Sequence, residues 1–198
     1  MALWKLLDPG APKPRNGTLS EDEQRAFEQT TRGGVKVAAL AGALLNNKDD
    51  KKGQGDRHIK YFKEKVDPWY THFPDTNNTR FGSHGDAAAD LIQYLDDHKA
   101  YLELIRLSKQ AGTHTQIEHN ILQALNNPAT ITELCAMVLY TQAVSKPYMV
   151  HVRGPGMDNV LDLGPFHKLV HEFVSKIIEE PGLLVLEDVS HVKGTLDG

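Results

Sequence analysis

One cysteine, Cys135, is all this chain of 198 residues contains. A lone thiol cannot close an internal disulfide, so a reducing, intracellular setting (nucleus or cytoplasm) is the expectation. Long apolar runs are missing as well. Nothing approaches the roughly 20 residues that span a bilayer, and no membrane partner is expected. Met1 to Leu7 is too short and too poorly flanked for a secretory signal. The mean hydropathy of -0.42 is that of a soluble protein.

Recognisable catalytic motifs are absent too. There is no Gly-x-Ser-x-Gly elbow, no Walker-type loop and no dinucleotide loop. Arg153-Gly-Pro-Gly156 imitates a phosphate loop, yet Pro155 removes a backbone donor and no lysine follows, which reads as a rigid turn. His167 and His171 stand at i and i+4, but Lys168 occupies the place where a metalloprotease helix needs glutamate. His114, Glu118 and His119 form a similarly loose group. Neither set has an evident third ligand, so no metal and no cofactor is expected. Cys135 falls on an apolar helix face and reads as a small core group. Pairs such as Asp96-Asp97 point in different directions from a helix and make no two-metal site.

What the chain does have is enough apolar content for a core, 40% of its residues, and an uneven charge. Between Arg32 and Lys65 nine Lys or Arg face four Asp or Glu, a local +5; with a net charge of -4, the remainder carries -9. A basic segment on an acidic body suits a polyanion, and nucleic acid is the obvious one. Its contacts would be Lys48, Lys51, Lys52, Arg57 and Lys60. The alternative is a solvated charged loop, favoured by the interleaved acids and by the lack of a repeating aromatic platform.

Punctuation residues divide the chain into a leader with a short polar helix (1–32), a helical domain (33–181) and a tail (182–198). The leader is loosened by Pro9, Pro12 and Pro14; Ser20 to Glu23 is a capping pattern that starts its polar helix. Val35 to Leu45 reads as a buried helix, with a strand as the alternative. Asp56 is placed to cap the next, which Asp67-Pro68 stops. The Ser83/Asp86, Thr115/Glu118 and Thr130/Glu133 pairs each predict a capped helix start. The first of these opens the longest helix, to about Gln110, along an apolar stripe of Leu91, Leu95, His98, Leu102 and Ile105. Pro147 bounds the Thr130 helix. Pro165 suits the first turn of a final helix with Phe166, Leu169, Val170, Phe173, Val174, Ile177 and Ile178 inward. The fold class expected is therefore mainly α, an irregular array of about six helices. Met149 to Val152 reads as a short strand or a last helical turn and Leu183 to Leu186 as an edge strand, which leaves room for one or two short strands.

The densest polar stretch is Phe73-Pro-Asp-Thr-Asn-Asn-Thr-Arg-Phe-Gly-Ser-His-Gly-Asp86. It leads into a helix N-terminus, where free N–H groups and partial positive charge suit an anion. A candidate site here comprises Asn77, Asn78, Arg80, Ser83, His84 and Asp86, with Arg80 as a bidentate phosphate clamp. The competing reading is a capped interhelical turn with Asx turns and an Arg80–Asp86 pair.

At this block the sequence resembles uncharacterised proteins abundant in mushroom-type fungi. The similarity runs through Phe73 to Ile92, Asn127-Pro-Ala-Thr-Ile-Thr-Glu-Leu-Cys135, Ser145-Lys-Pro-Tyr-Met149, Arg153-Gly-Pro-Gly156 and Leu161-Asp-Leu-Gly-Pro165. Those proteins look like products of repetitive, transposon-derived genes. Thr79-Arg80-Phe81-Gly82-Ser83 is also similar to the Thr-Arg-Trp-x-Ser motif that leads hAT-family transposases into their helical insertion. Phe81 replaces the tryptophan, and nothing matches the strands that bear that family's catalytic carboxylates. The resemblance implies an insertion region without a catalytic core, unable to cut DNA alone.

Three functional expectations follow. The first is a non-catalytic, transposase-derived helical domain that binds nucleic acid or a partner chain. The second is a small-molecule binder or enzyme using Arg80, His84 and Asp86. The third is a helical interaction domain with no retained activity.

Overall fold

The computed structural model describes residues 33–46, 54–77, 82–154, 163–185 and 196. The leader, its polar helix and Lys48, Lys51 and Lys52 lie outside the described residues, as do Asn78 and Arg80. Among the described residues the secondary structure is helical throughout, with no strand. The helices are α1 (Gly34–Leu45), α2 (Gly55–Lys65), α3 (Ser83–Gln93), α4 (Leu95–Ser108), α5 (Gln116–Leu125), α6 (Pro128–Tyr140), α7 (Lys146–Arg153) and α8 (Gly164–Glu179). The mainly-α expectation holds. The chain divides into two compact units, Met1–Met137 and Val138–Gly198.

In the first unit α1 is the central element, in contact with α2, α3 and α5. Its buried residues Val37, Ala38, Ala41, Leu44 and Leu45 recur at helical spacing. Ala38 and Ala41, like Ala87 and Ala88 on α3, are wholly enclosed, and such small side chains let backbones approach closely. The helix start has no local cap. Gly33 takes a φ of 88°, and the Gly34 amide donates instead to Glu133 Oε2 at 2.9 Å. A distant carboxylate thus satisfies an orphan donor at the positive end of the helix.

The long helix predicted from Ser83 is interrupted at Tyr94, where φ is -115° and ψ 36°. Backbone hydrogen bonds cross the break on both sides, from Tyr94 N to Asp90 O and from His98 N to Tyr94 O. The interruption is therefore a kink between α3 and α4. Tyr94 is anchored by its hydroxyl, which donates to Asp67 Oδ2 at 3.1 Å. The predicted stripe survives the kink, with Leu91, His98, Leu102 and Ile105 buried.

Three of the four caps predicted among the described residues need correction. Asp56 lies within the first turn of α2, whose cap position is held by Gln54. Ser83 is the first helical residue of α3, not its cap; Gly82, at φ 82°, holds the cap position. Thr130 and Glu133 do not cap α6 either. Asn127 Oδ1 accepts from the amides of Ala129 and Thr130 at 2.9 and 3.2 Å, with Pro128 opening the helix. Asn127 reaches the amides first, and Glu133 is engaged by Gly34. At α5 the capping box forms as expected: Thr115 accepts from the Glu118 amide, and Glu118 Oε2 accepts from the Thr115 amide at 2.8 Å.

In the second unit, Pro147 does not end a helix. A π-helical turn, Thr141–Ser145, precedes α7 and carries the chain into a helix that accepts Pro147 in its first turn. A widened turn relieves the clash a proline makes with the turn before it. Met149 to Val152 belong to α7, the helical one of their two readings, and Leu183 and Leu184 to a 3-10 turn, Pro181–Leu184, in place of the expected strand. Pro165 does open α8, yet none of that helix's residues is buried, and Ile178 is 74% exposed. Periodicity identifies the apolar face of α8; it does not supply a surface to cover it.

Gly42 gives a direct test of the packing around α1. A Cβ there would fall 2.0 Å from Thr76 Oγ1 and 2.9 Å from Thr76 Cβ. Helix propensity alone favours Gly42→Ala by about 1 kcal/mol. Because the Thr76 backbone must move, the substitution is expected instead to destabilise by about 1–3 kcal/mol in urea unfolding. A stabilised variant would contradict the close approach.

Candidate functional site

The sequence of α2, Gly-Asp-Arg-His-Ile-Lys-Tyr-Phe-Lys-Glu-Lys, separates two faces. His58 and Phe62, one turn apart, are both fully buried. Arg57, Lys60, Tyr61, Glu64 and Lys65 recur at spacings of three and four on the neighbouring face. On α4 the residues Tyr101, Leu104, Ile105 and Ser108 repeat that spacing. The two stripes face each other across a groove of about 600 Å³. Gln54, preceding α2, completes the lining.

The groove has a cationic wall and an aromatic, apolar base. Arg57, Lys60 and Lys65 are exposed, against a single acid, Glu64. Lys60 and Glu64 lie 4.0 Å apart and are 75% and 57% exposed, a pairing that water and salt screen. Tyr61 and Tyr101 meet with ring centroids 5.2 Å apart, tilted by 43°. Tyr101 is buried and its hydroxyl donates to the Gln54 carbonyl at 3.3 Å. Burial raises the Tyr101 phenol well above its ordinary range; Arg57 opposes this and Glu118 adds to it. Burial, helped by Asp97, raises the Tyr61 phenol too, so both rings remain neutral donors. Gln54 Oε1 is buried and takes no hydrogen bond.

Behind Tyr101 lies a cluster of rings. His58 sits against Tyr101 edge-on at 5.0 Å, stacks on His98 at 5.4 Å with planes 7° apart, and also meets Phe62, Tyr70 and Phe73. Neither ring nitrogen of His58 has a hydrogen-bond partner. His98 Nε2 is 2.9 Å from Asp90 Oδ1, which also accepts from the Tyr70 hydroxyl at 3.4 Å. Burial first, and then the charge of His98, hold the His58 imidazole down to about 3.

The polar block is organised differently. Buried Ser83 donates from Oγ to the Asn77 carbonyl at 2.8 Å and accepts from the Asn77 amide at 3.3 Å. Its Oγ is also 3.5 Å from His84 Nδ1. These bonds clasp the two ends of the connection between residues 77 and 83. Asp86 lies exposed in the first turn of α3. Asn77, Ser83 and His84 are thus brought together, while Asn78 and Arg80 fall outside the described residues.

In each histidine group one ring has a polar partner. His114 Nε2 stands 3.1 Å from Glu103 Oε1, and buried Glu118 receives Lys109 Nζ at 2.5 Å as well as the Thr115 amide. His167 Nε2 is 3.1 Å from the Tyr148 hydroxyl. Of the basic residues singled out from the sequence, Arg57 and Lys60 line the groove. Its aromatic half, Tyr61 and Tyr101, was missed. Tyr61 stands four residues from both Arg57 and Lys65, a local signal that was available; the partnership with Tyr101 had none. No family model, no curated protein and no solved structure matches the chain.

Acid stability reports on the cluster beneath the groove. The unfolded chain protonates His58 near its ordinary 6.5, but the native state resists down to about 3. Stability is therefore present above pH 6.5 and is lost as the pH falls through that window, by up to about 1.4 kcal/mol per unit. In urea unfolding between about pH 7 and 4, His58→Phe should flatten this slope. Equal slopes for variant and parent would show that His58 is not held neutral.

Proposed function

We propose that this chain is a non-catalytic helical domain of transposase-like descent that binds nucleic acid through the α2 face. One observation carries the reading: the cations of α2 are arrayed beside an aromatic-floored groove. Arg57, Lys60, Lys63 and Lys65 are exposed on one short helix, with Asp56 and Glu64 the exposed acids among them. Phosphate neutralisation by such cations supplies sequence-independent affinity, and the half-buried Tyr61 among them supplies a surface on which a base stacks. The Thr79 to Ser83 motif supports the descent, and Lys48, Lys51 and Lys52 add positive charge just before α2 in the sequence. The polar-block alternative has less in its favour, because Ser83 is engaged with Asn77.

Fluorescence anisotropy with a labelled oligonucleotide of about 16 residues tests this. Affinity should fall steeply from about 50 to 200 mM salt. The combined Arg57→Gln, Lys60→Gln and Lys65→Gln variant should bind at least about tenfold more weakly, with a log–log salt slope shallower by about 2. Absence of binding to single-stranded and duplex DNA at low salt would end the proposal.

A further inference from the structure

We propose that the groove between α2 and α4 seats one unpaired nucleobase, so that the chain prefers single strands to duplex. The inference rests on the nucleic-acid reading above and names the part of the ligand this site takes. A patch built for phosphates alone needs only exposed cations. Here the cations border a concavity of about 600 Å³ whose interior is Tyr61, Tyr101, Leu104 and Ile105. That size lies within the range of sites that enclose small ligands. A base inside a duplex has both faces covered by its neighbours, so only an unpaired base can lay a face on Tyr61.

The spacing of the cations agrees with this. Arg57 and Lys65 are eight residues apart on one helix, about 12 Å along its axis, with Lys60 between them. They can hold the backbone on either side of an inserted base, while Tyr61, halfway along, stacks upon it.

The test uses the full chain with oligo-dA, oligo-dC and oligo-dT of equal length and a mixed-sequence duplex, at low salt. Each single strand should bind at least about tenfold more tightly than the duplex. Tyr61→Leu should weaken single-strand binding about tenfold, and Tyr61→Phe, which keeps the ring, should restore it. Equal affinity for single strand and duplex, with the charge dependence intact, overturns this inference and leaves the nucleic-acid reading standing. Loss of binding in Tyr61→Phe equal to that in Tyr61→Leu also overturns it. A chain that binds no form of DNA overturns both.

Discussion

The packing of α2 onto α4 through rings is the constraint on which the first unit depends. His58 and Phe62 from one helix lie against His98 and Tyr101 from the other, with Tyr70 and Phe73 from the intervening connection joining them. The contact has a chemical condition. His58 is completely enclosed and makes no hydrogen bond, so it fits only as a neutral imidazole. A charge there would meet low dielectric, and the adjacent His98 would add repulsion if charged. Aromatic contacts at 4.3 to 5.5 Å offset the loss of the histidine's water bonds.

The groove is a consequence of that packing. Each helix turns one stripe inward to the rings, and the next stripe around the cylinder borders the groove. Tyr101 belongs to both, since it touches His58 on one side and lines the groove on the other. Its hydroxyl also pins the start of α2 through Gln54, whose amide is tied to the end of α1. The groove's base is therefore preorganised by the core, whereas its cations stand on flexible exposed stems. Such an arrangement suits a ligand with a flat body and a charged, adaptable backbone.

Local chemistry was legible in the sequence and long-range partnership was not. The Thr115–Glu118 box could be read because both halves of the cap lie within one turn. Ser83 showed the same pattern, yet its hydroxyl is held by Asn77 across a loop, and Gly82 takes the cap position at positive φ. Glu133 was read as a capping residue for its own helix and instead serves α1, far away in sequence. The apolar stripe of α4 was visible, but the kink at Tyr94 depends on a hydroxyl bond to Asp67 that periodicity does not encode. At the site, Arg57 and Lys60 stood out as charges. Their aromatic complement did not, because Tyr101 joins Tyr61 only once the rings beneath have brought α2 and α4 together.

Backbone amide chemical shifts, followed by NMR while a short oligo-dA is titrated into the full chain, address the central claim most directly. The groove predicts saturable shifts concentrated at Gln54, Arg57, Tyr61, Tyr101 and Leu104, with the Tyr61 ring resonances moving upfield under a stacked base. Shifts centred on the Ser83 to Asp86 turn or on α8, with the α2 and α4 signals unmoved, would contradict it.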